Sequence, residues 1–542
     1  MNRRSFVGRV GAALLAGGIK AGARPAEAAA YAVNTVKRSR PNVLLLMADQ
    51  LRADCVGAYG NKVIETPNLD RIAREGVRFT AAYSASPSCT PARAALLTGM
   101  GPWRNGLLGY GPMATNPYPV EKARAMAQAG YYTTSIGKNH YNPIRNAHGY
   151  HQLVCDEHCS YWFDKQDAQS VTTRTEASWE ERCDYEAWFW SQMPDKNPHA
   201  TGLGWNDHRG KPFVYPEEMH ATHWTGETAV NFLKGYEREE PFFLKVSFIR
   251  PHCPYDAPER FFKMYEDAVL PEAQVGEWAK RFEPRSGPEN DLWHGRLSAE
   301  EIRNSRQGYY AGVSFVDEQI GRILDVLEKR KLLEETLILF ISDHGDMLGD
   351  QNLWRKTYGY EGSARVPMLM RVPASMGVKA AGLVMENPVE LRDILPTVLE
   401  AAGKQIPASV EGKSLLELVR EGGKGWREFI DLEHDVCYGA ENHWNGLTDG
   451  KWKYIYHAQH GEEQLFHLET DGSELKNLAG MAEHEAQLKL WRGRLVAHLE
   501  ERGPAWVKGG KLMPRPDGML RSPHFPGYAA AAETLKKVAY GA

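Results

Sequence analysis

The chain has 542 residues, 42% of them hydrophobic and 25% charged. That is close to the globular average and excludes wholesale disorder, a fibrous repeat and a coiled coil. Lys and Arg number 65 against 69 Asp and Glu, a net charge of −4, so no broad basic field exists for nucleic acid or anionic lipid, and any anion must be held locally.

Arg3-Arg4-Ser5-Phe6-Val7 precedes a mildly apolar, Gly- and Ala-rich stretch from Val10 to Ile19 and a small-residue tail ending in Ala26-Glu27-Ala28-Ala29-Ala30. This is the pattern of a twin-arginine export signal, and residues 1–30 are set aside from the fold. Beyond them no apolar run reaches the roughly 18 residues needed to span a bilayer. The mature chain is therefore expected to pass through the twin-arginine export machinery and to be periplasmic or extracellular.

Asn42 to Ala48 is a continuous apolar run closed by Asp49-Gln50, as in a strand buried on both faces of a parallel sheet. Tyr131 to Ile136, Phe242 to Ile249 and Leu337 to Ile341 have the same texture and also end close to polar groups. Val366 to Val372 adds a strand without such a tip. Thr66 can cap a helix with Pro67 in its first turn and Gly76 past its end, and Asp317 to Lys331 has helical periodicity. Strands alternating with helices predict a doubly wound α/β domain, here assigned to residues 39–424, whose ligands sit beyond the carboxyl ends of the strands. Residues 425–542 change texture. Trp452 to Tyr456 and Gln464 to Leu468 read as antiparallel strands, followed by a helix from about Glu483 to Glu500, giving a smaller α+β subdomain.

Seven cysteines, an odd number, leave pairing open. His151, Cys155, His158 and Cys159 lack the second half of a zinc motif and are read as a loop. The segment from about Cys155 to Asn206, rich in Trp, Asp and Glu without periodicity, is the kind of insertion that covers an active site. His220 and His223, just beyond it, are candidates for substrate contact or for ordinary packing.

Ser88-Cys89-Thr90-Pro91-Ala92-Arg93 leads into a helix closed by Gly99, which places Cys89 at a helix N-terminus that favours an anion, with Arg93 one turn on. Cys89-Thr90-Pro91-Ala92-Arg93 with Leu97-Thr98-Gly99 resembles the formylglycine-dependent sulfatase family of the alkaline-phosphatase superfamily, through C-x-P-x-R followed by Leu-Thr-Gly. The resemblance runs over nearly the whole mature chain. It implies an alkaline-phosphatase-like, mostly parallel sheet flanked by helices, and a cysteine, Cys89, that a formylglycine-generating enzyme oxidises to an aldehyde hydrated as a geminal diol. It further implies one divalent metal ion on Asp49, Gln50, Cys89, Asp343 and His344. Oxygen and imidazole donors at neighbouring strand tips suit such an ion. The commoner family pairs are Asp-Asp and Asp-Asn. Ca²⁺ is the ion implied by the family, and the departure leaves Mg²⁺, Mn²⁺ or Zn²⁺ open.

By the same resemblance Lys138 and Lys356 hold sulfate oxygens, Arg93 orients the diol, His252 in Pro251-His252-Cys253-Pro254 protonates the leaving alcohol, and His140 is the base that releases sulfate from the diol. The family usually has Trp where this chain has Asn139. A nearby developing sulfate is expected to raise the pKa of His252 above its usual 6.5 or so. The expected activity is hydrolysis of a sulfate ester, with a sulfated sugar favoured as substrate by the aromatic side chains between Tyr150 and Trp224. Two alternatives remain at this level: a phosphonate or phosphate ester hydrolase on the same fold, since Asp49-Gln50 also occurs in phosphonate monoester hydrolases, and a silent sulfated-glycan-binding protein.

Overall fold

The computed structural model describes residues 40–157, 183–435, 437–438 and 442–528. The export signal, His158 and Cys159 lie outside the described residues.

The first strand, β1 (Asn42–Asp49), is buried along its whole length. Successive side chains alternate faces, so Val43, Leu45 and Met47 enter one core and Leu44, Leu46 and Ala48 another. The remaining strands of this sheet are β2 (Val77–Phe79), β3 (Tyr132–Gly137), β4 (Gln152–Cys155), β5 (Phe242–Pro251), β6 (Thr336–Ser342), β7 (Met368–Arg371) and β8 (Leu383–Met385), in the order β4-β3-β5-β1-β6-β7-β2-β8. β1 runs parallel to both β5 and β6, and β3 is parallel to β5. The mostly parallel α/β sheet expected from the sequence is therefore present.

Helices cover both faces. α1 (Pro67–Glu75), α3 (Ala221–Lys234) and α4 (Ala299–Lys329) pack on the face of Leu44 and Leu46, and α2 (Cys89–Thr98) supplies Ala92, Leu96 and Leu97 to the opposite core. α2 begins with Ser88 extended and ends at Gly99, which is left-handed at φ +67; a Cβ there would lie 2.8 Å from Val410. Glycine thus both ends the helix and permits close packing.

The strand read at 366–372 is present as β7; its direction, which continuous apolarity does not report, is antiparallel to β6 and β2. Two expectations need correction. The helix read from Asp317 starts 18 residues earlier, where Ser298 and Glu301 form a reciprocal capping box. Cys155 does not sit in a loop with His151; it closes edge strand β4, and the His151 Nδ1 pairs with the Thr133 hydroxyl at 2.8 Å.

The C-terminal region forms a four-stranded antiparallel sheet, β9 (Ile430–His434), β10 (Trp444–Thr448), β11 (Trp452–His457) and β12 (Glu462–His467), with helix α5 (Glu485–Leu499). It belongs to the same compact unit as the large sheet. Trp491 and Leu495 of α5 share a core with Leu447, Tyr454 and Leu465. Among the described residues no helix is long and apolar enough to cross a membrane.

Candidate active site

Register places the site. Ala48 of β1 lies opposite Ser342 of β6, and Gly137 of β3 opposite Ser247 of β5. Asp49 and Pro251, paired at the ends of β1 and β5, and Asp343, Lys138 and His252, just past the ends of β6, β3 and β5, come together at the carboxyl edge of the sheet. Cys89, at the first position of α2, comes to that edge from one face.

The Cys89 Sγ is 3.2 Å from His344 Nε2, 3.0 Å from Lys356 Nζ, 3.9 Å from Lys138 Nζ and 3.8 Å from both carboxylate oxygens of Asp49. All these groups are buried. Burial opposes a charged thiol, but Lys138, Lys356 and His344 outweigh it and hold the Cys89 thiol well below its ordinary pKa. Asp49 is likewise pulled below the usual carboxylate range against burial and the repulsion of Cys89, with Lys138 the strongest attraction at 2.5 Å. Asp343 moves the other way, raised by burial and by Asp49.

Donor atoms of Asp49, Cys89, Asp343 and His344 all lie within 4.8 Å of one another, the one such buried group among the described residues. His344 Nδ1 faces the Gly345 carbonyl at 2.9 Å. A carbonyl only accepts, so Nδ1 carries a proton, and in the neutral imidazole Nε2 presents a lone pair to the cluster; Asp343 and Cys89 raise the His344 pKa against burial. Gln50, next to Asp49, could add a fifth donor. Its Nε2 donates to Asp346 Oδ2 at 2.5 Å, which fixes the amide orientation, and its Oε1 is buried with no hydrogen-bond partner. A buried amide oxygen without a donor is costly. Two carboxylates, this oxygen and an imidazole nitrogen fit a divalent cation.

Arg93 stands behind the carboxylates and not against the thiol. Its Nε donates to Asp343 at 2.8 Å, one Nη to Asp49 at 3.0 Å and the other to the Lys138 carbonyl at 2.8 Å. Its position suits orientation of the acidic pair.

His252 Nδ1 meets the Cys253 carbonyl at 2.6 Å and its Nε2 meets Lys356 Nζ at 2.9 Å. The same donor logic makes Nε2 an acceptor here. Burial first and the Lys356 ammonium second push the His252 pKa down to about 3, against the attraction of Asp49; the direction is opposite to the rise expected beside a sulfate. His140 lies half-buried with Nε2 3.4 Å from the Tyr110 hydroxyl. His220 turns out to cap α3, accepting from the Thr222 N-H, and to face Asp256 at 3.2 Å. Asp256 also grips Arg250, which donates to the His252 carbonyl. His223 faces Arg322 at 3.4 Å.

Several site residues escaped the sequence reading. Trp205 stacks on His252, ring centroids 4.7 Å apart, and its ring lies 5.5 Å from Lys138 Nζ. Aromatic density marked its segment but not the residue. His434, at the end of β9, pairs with the Ser88 hydroxyl at 2.8 Å, immediately before Cys89. Asp346, three residues beyond Asp343, orients Gln50. Glu157 accepts from two backbone amides beside Lys138.

The Sulfatase family model matches residues 41–404, two thirds of the chain. The chain belongs to the sulfatase family. A second model, N-sulphoglucosamine sulphohydrolase C-terminal, matches residues 349–501 of this sulfatase. An arylsulfatase of Clostridium perfringens is 39% identical over 88% of this chain and 97% of its own, and a choline-sulfatase of Rhizobium meliloti is 32% identical over 85% and 87%. In fold it resembles the phosphonate monoester hydrolase of Agrobacterium radiobacter, with TM-score 0.68 and 24% identity over 89% of this chain and 100% of that one. The sulfatase is accordingly a sulfuric ester hydrolase.

Proposed function

We propose that this sulfatase hydrolyses the sulfate ester of a carbohydrate, with Cys89 converted to formylglycine as the source of the nucleophile. The observation that carries the reading is the enclosure of Cys89 Sγ by Lys356, His344, Lys138 and Asp49 at 3.0–3.9 Å. Asp49, Gln50, Cys89, Asp343 and His344 would hold one divalent ion, with calcium proposed and magnesium or manganese the alternatives. Such an ion supplies Lewis-acid stabilisation of negative charge at the reacting side chain. Lys138 and Lys356 bind the sulfate oxygens and stabilise the charge that grows on them. His252 Nε2, which accepts from Lys356 at 2.9 Å in the free site, would take up a proton once the negative charge of a sulfate ester lies beside it and would deliver that proton to the leaving oxygen. His140 accepts the proton whose removal lets sulfate depart. Arg93 keeps the two aspartates in place.

The sugar assignment is supported by Trp205 beside His252, since an aromatic face packs against a sugar ring. The sequence also supports export of the mature protein by the twin-arginine route to the periplasm or beyond, after a formylglycine-generating enzyme has acted on Cys89. A mass spectrum of the Cys89 peptide from active protein should show the aldehyde, and Cys89→Ala should fold and lose nearly all turnover. An unmodified thiol in active material would overturn the reading. Gln50 among the donors favours phosphonate monoester hydrolysis as the second reading. Turnover of an aryl sulfate, sulfated mono- and oligosaccharides and a phosphonate monoester on one preparation decides between them.

A further inference from the structure

Four non-glycine residues around Cys89 have left-handed backbones: Gln50 at φ +66, His140 at φ +60, Arg355 at φ +64 and Thr357 at φ +83. Such conformations persist only where the surroundings over-determine them. The amide of Gln50 is held by Asp343, that of Arg355 by Asp346 and that of Thr357 by the Pro87 carbonyl. For His140 the holder is Glu157, just beyond β4 and 6% exposed. Its Oε1 accepts from the Asn139 N-H at 2.5 Å, and both its carboxylate oxygens lie within 3.1 Å of the His140 amide nitrogen.

The same turn is tied down elsewhere. The Lys138 carbonyl accepts from Arg93 at 2.8 Å and from Lys245 Nζ at 3.4 Å. Asn139 Oδ1 accepts from the Ser135 hydroxyl at 2.6 Å and Lys245 Nζ at 3.0 Å, while its Nδ2 donates to the Gly137 carbonyl at 3.1 Å. Asn139 is fully buried. An indole offers one donor and no acceptor, so it could not take the bonds from Ser135 and Lys245.

We propose that Glu157 is a positioning residue for ester hydrolysis: by binding the amides of Asn139 and His140 it sets where the Lys138 ammonium and the His140 imidazole meet the substrate. The inference rests on the roles given above to Lys138 and His140. Glu157 itself bonds backbone, so it acts through geometry. His140 serves sulfate release more than alcohol release, and loosening its backbone therefore slows the second half of the cycle most.

The test compares wild type with Glu157→Gln, which keeps one acceptor, and Glu157→Ala, which keeps none. The preparations are matched for melting temperature and for modification of Cys89. With an aryl sulfate as probe, kcat should fall about tenfold in the first variant and about a hundredfold in the second, the scale of a misplaced catalytic group. The initial burst of alcohol should grow relative to the steady rate, and amide hydrogen exchange across residues 137–140 should accelerate. A kcat within twofold of wild type, or a lower kcat with burst ratio and exchange unchanged, overturns the proposal. His140→Ala separates the premise: an enlarged burst supports it, and if none appears the assigned role of His140 fails and amide exchange alone decides for or against Glu157.

Discussion

Replacing Lys356 by alanine should do more to this enzyme than replacing any other single cation at the site. Lys356 is 6% exposed, 3.0 Å from Cys89 Sγ, the atom whose place a diol oxygen would take, and 2.9 Å from His252 Nε2. Lys138 is further away, at 3.9 Å, and already paired with Asp49 at 2.5 Å. Part of its charge is thus spent before substrate arrives. Removing one preorganised donor to developing charge in a dry site costs about 2.7–4 kcal/mol, or ~10²–10³ in kcat. A second effect has the opposite sign. After burial, Lys356 is the largest influence holding the His252 pKa near 3. Without the ammonium that value rises, burial still holding it below the ordinary 6.5 or so, and His252 takes up its proton at a higher pH than in the wild type. A general acid needs its proton, so the deficit of Lys356→Ala should narrow from pH 8 to pH 5. The assay is kcat/KM against pH for both proteins on one aryl sulfate, with melting curves confirming the fold. Parallel profiles, or a deficit below about fivefold at pH 7.5, would refute the reasoning.

Arg93→Met removes the partner of two buried carboxylates and should destabilise the metal-free protein by about 3–5 kcal/mol. A divalent ion on Asp49 and Asp343 would supply the missing charge, so urea melts should show a larger loss in chelator than with added calcium; an equal loss in both would count against this donor set. Lys245 is buried, and burial together with Arg93 lowers its pKa from 10.5 to about 7. Between those values the unfolded chain binds a proton that the native protein does not, so Lys245 makes stability rise with pH by up to ~1.4 kcal/mol per unit across this window. Lys245→Met lacks that slope: its stability relative to wild type should decline from pH 7 to pH 10. Curves that stay parallel in urea denaturation would show that Lys245 is charged in the native state.

What could be read from the sequence follows from where the chain is regular. Asp49, Asp343, Lys138 and His252 follow directly on apolar runs, and a strand buried on both faces must end where polarity begins, so the ends of β1, β3, β5 and β6 were marked by composition alone. Their convergence then follows from parallel pairing. Cys89 was marked by a helix start and by its motif. Direction was not legible for β7, because an apolar run looks the same from either end. Glu157, Trp205 and His434 were illegible for a different reason. Glu157 and Trp205 reach the site from irregular segments, where a single Glu or Trp carries no periodic signal, and His434 ends a strand of the other sheet that meets Ser88 only through tertiary packing.

The division also separates two kinds of work. Groups at the ends of regular elements meet Cys89: Lys356 excepted, the side chains placed within 4 Å of its Sγ come from the strand ends of the large sheet. Groups from irregular segments instead hold those strand-end residues in conformations they would not adopt alone, as Asp346 does for Gln50 and Glu157 for His140. Such support need not come from any fixed place in the chain, because a backbone amide can be held by any acceptor that arrives. The catalytic residues should therefore tolerate little change of type, whereas Glu157 should be replaceable by an acceptor introduced from another direction. A Glu157→Ala protein carrying a new carboxylate within reach of the 139–140 amides should recover the slow amide exchange of residues 137–140, and with it a substantial part of the lost sulfate release.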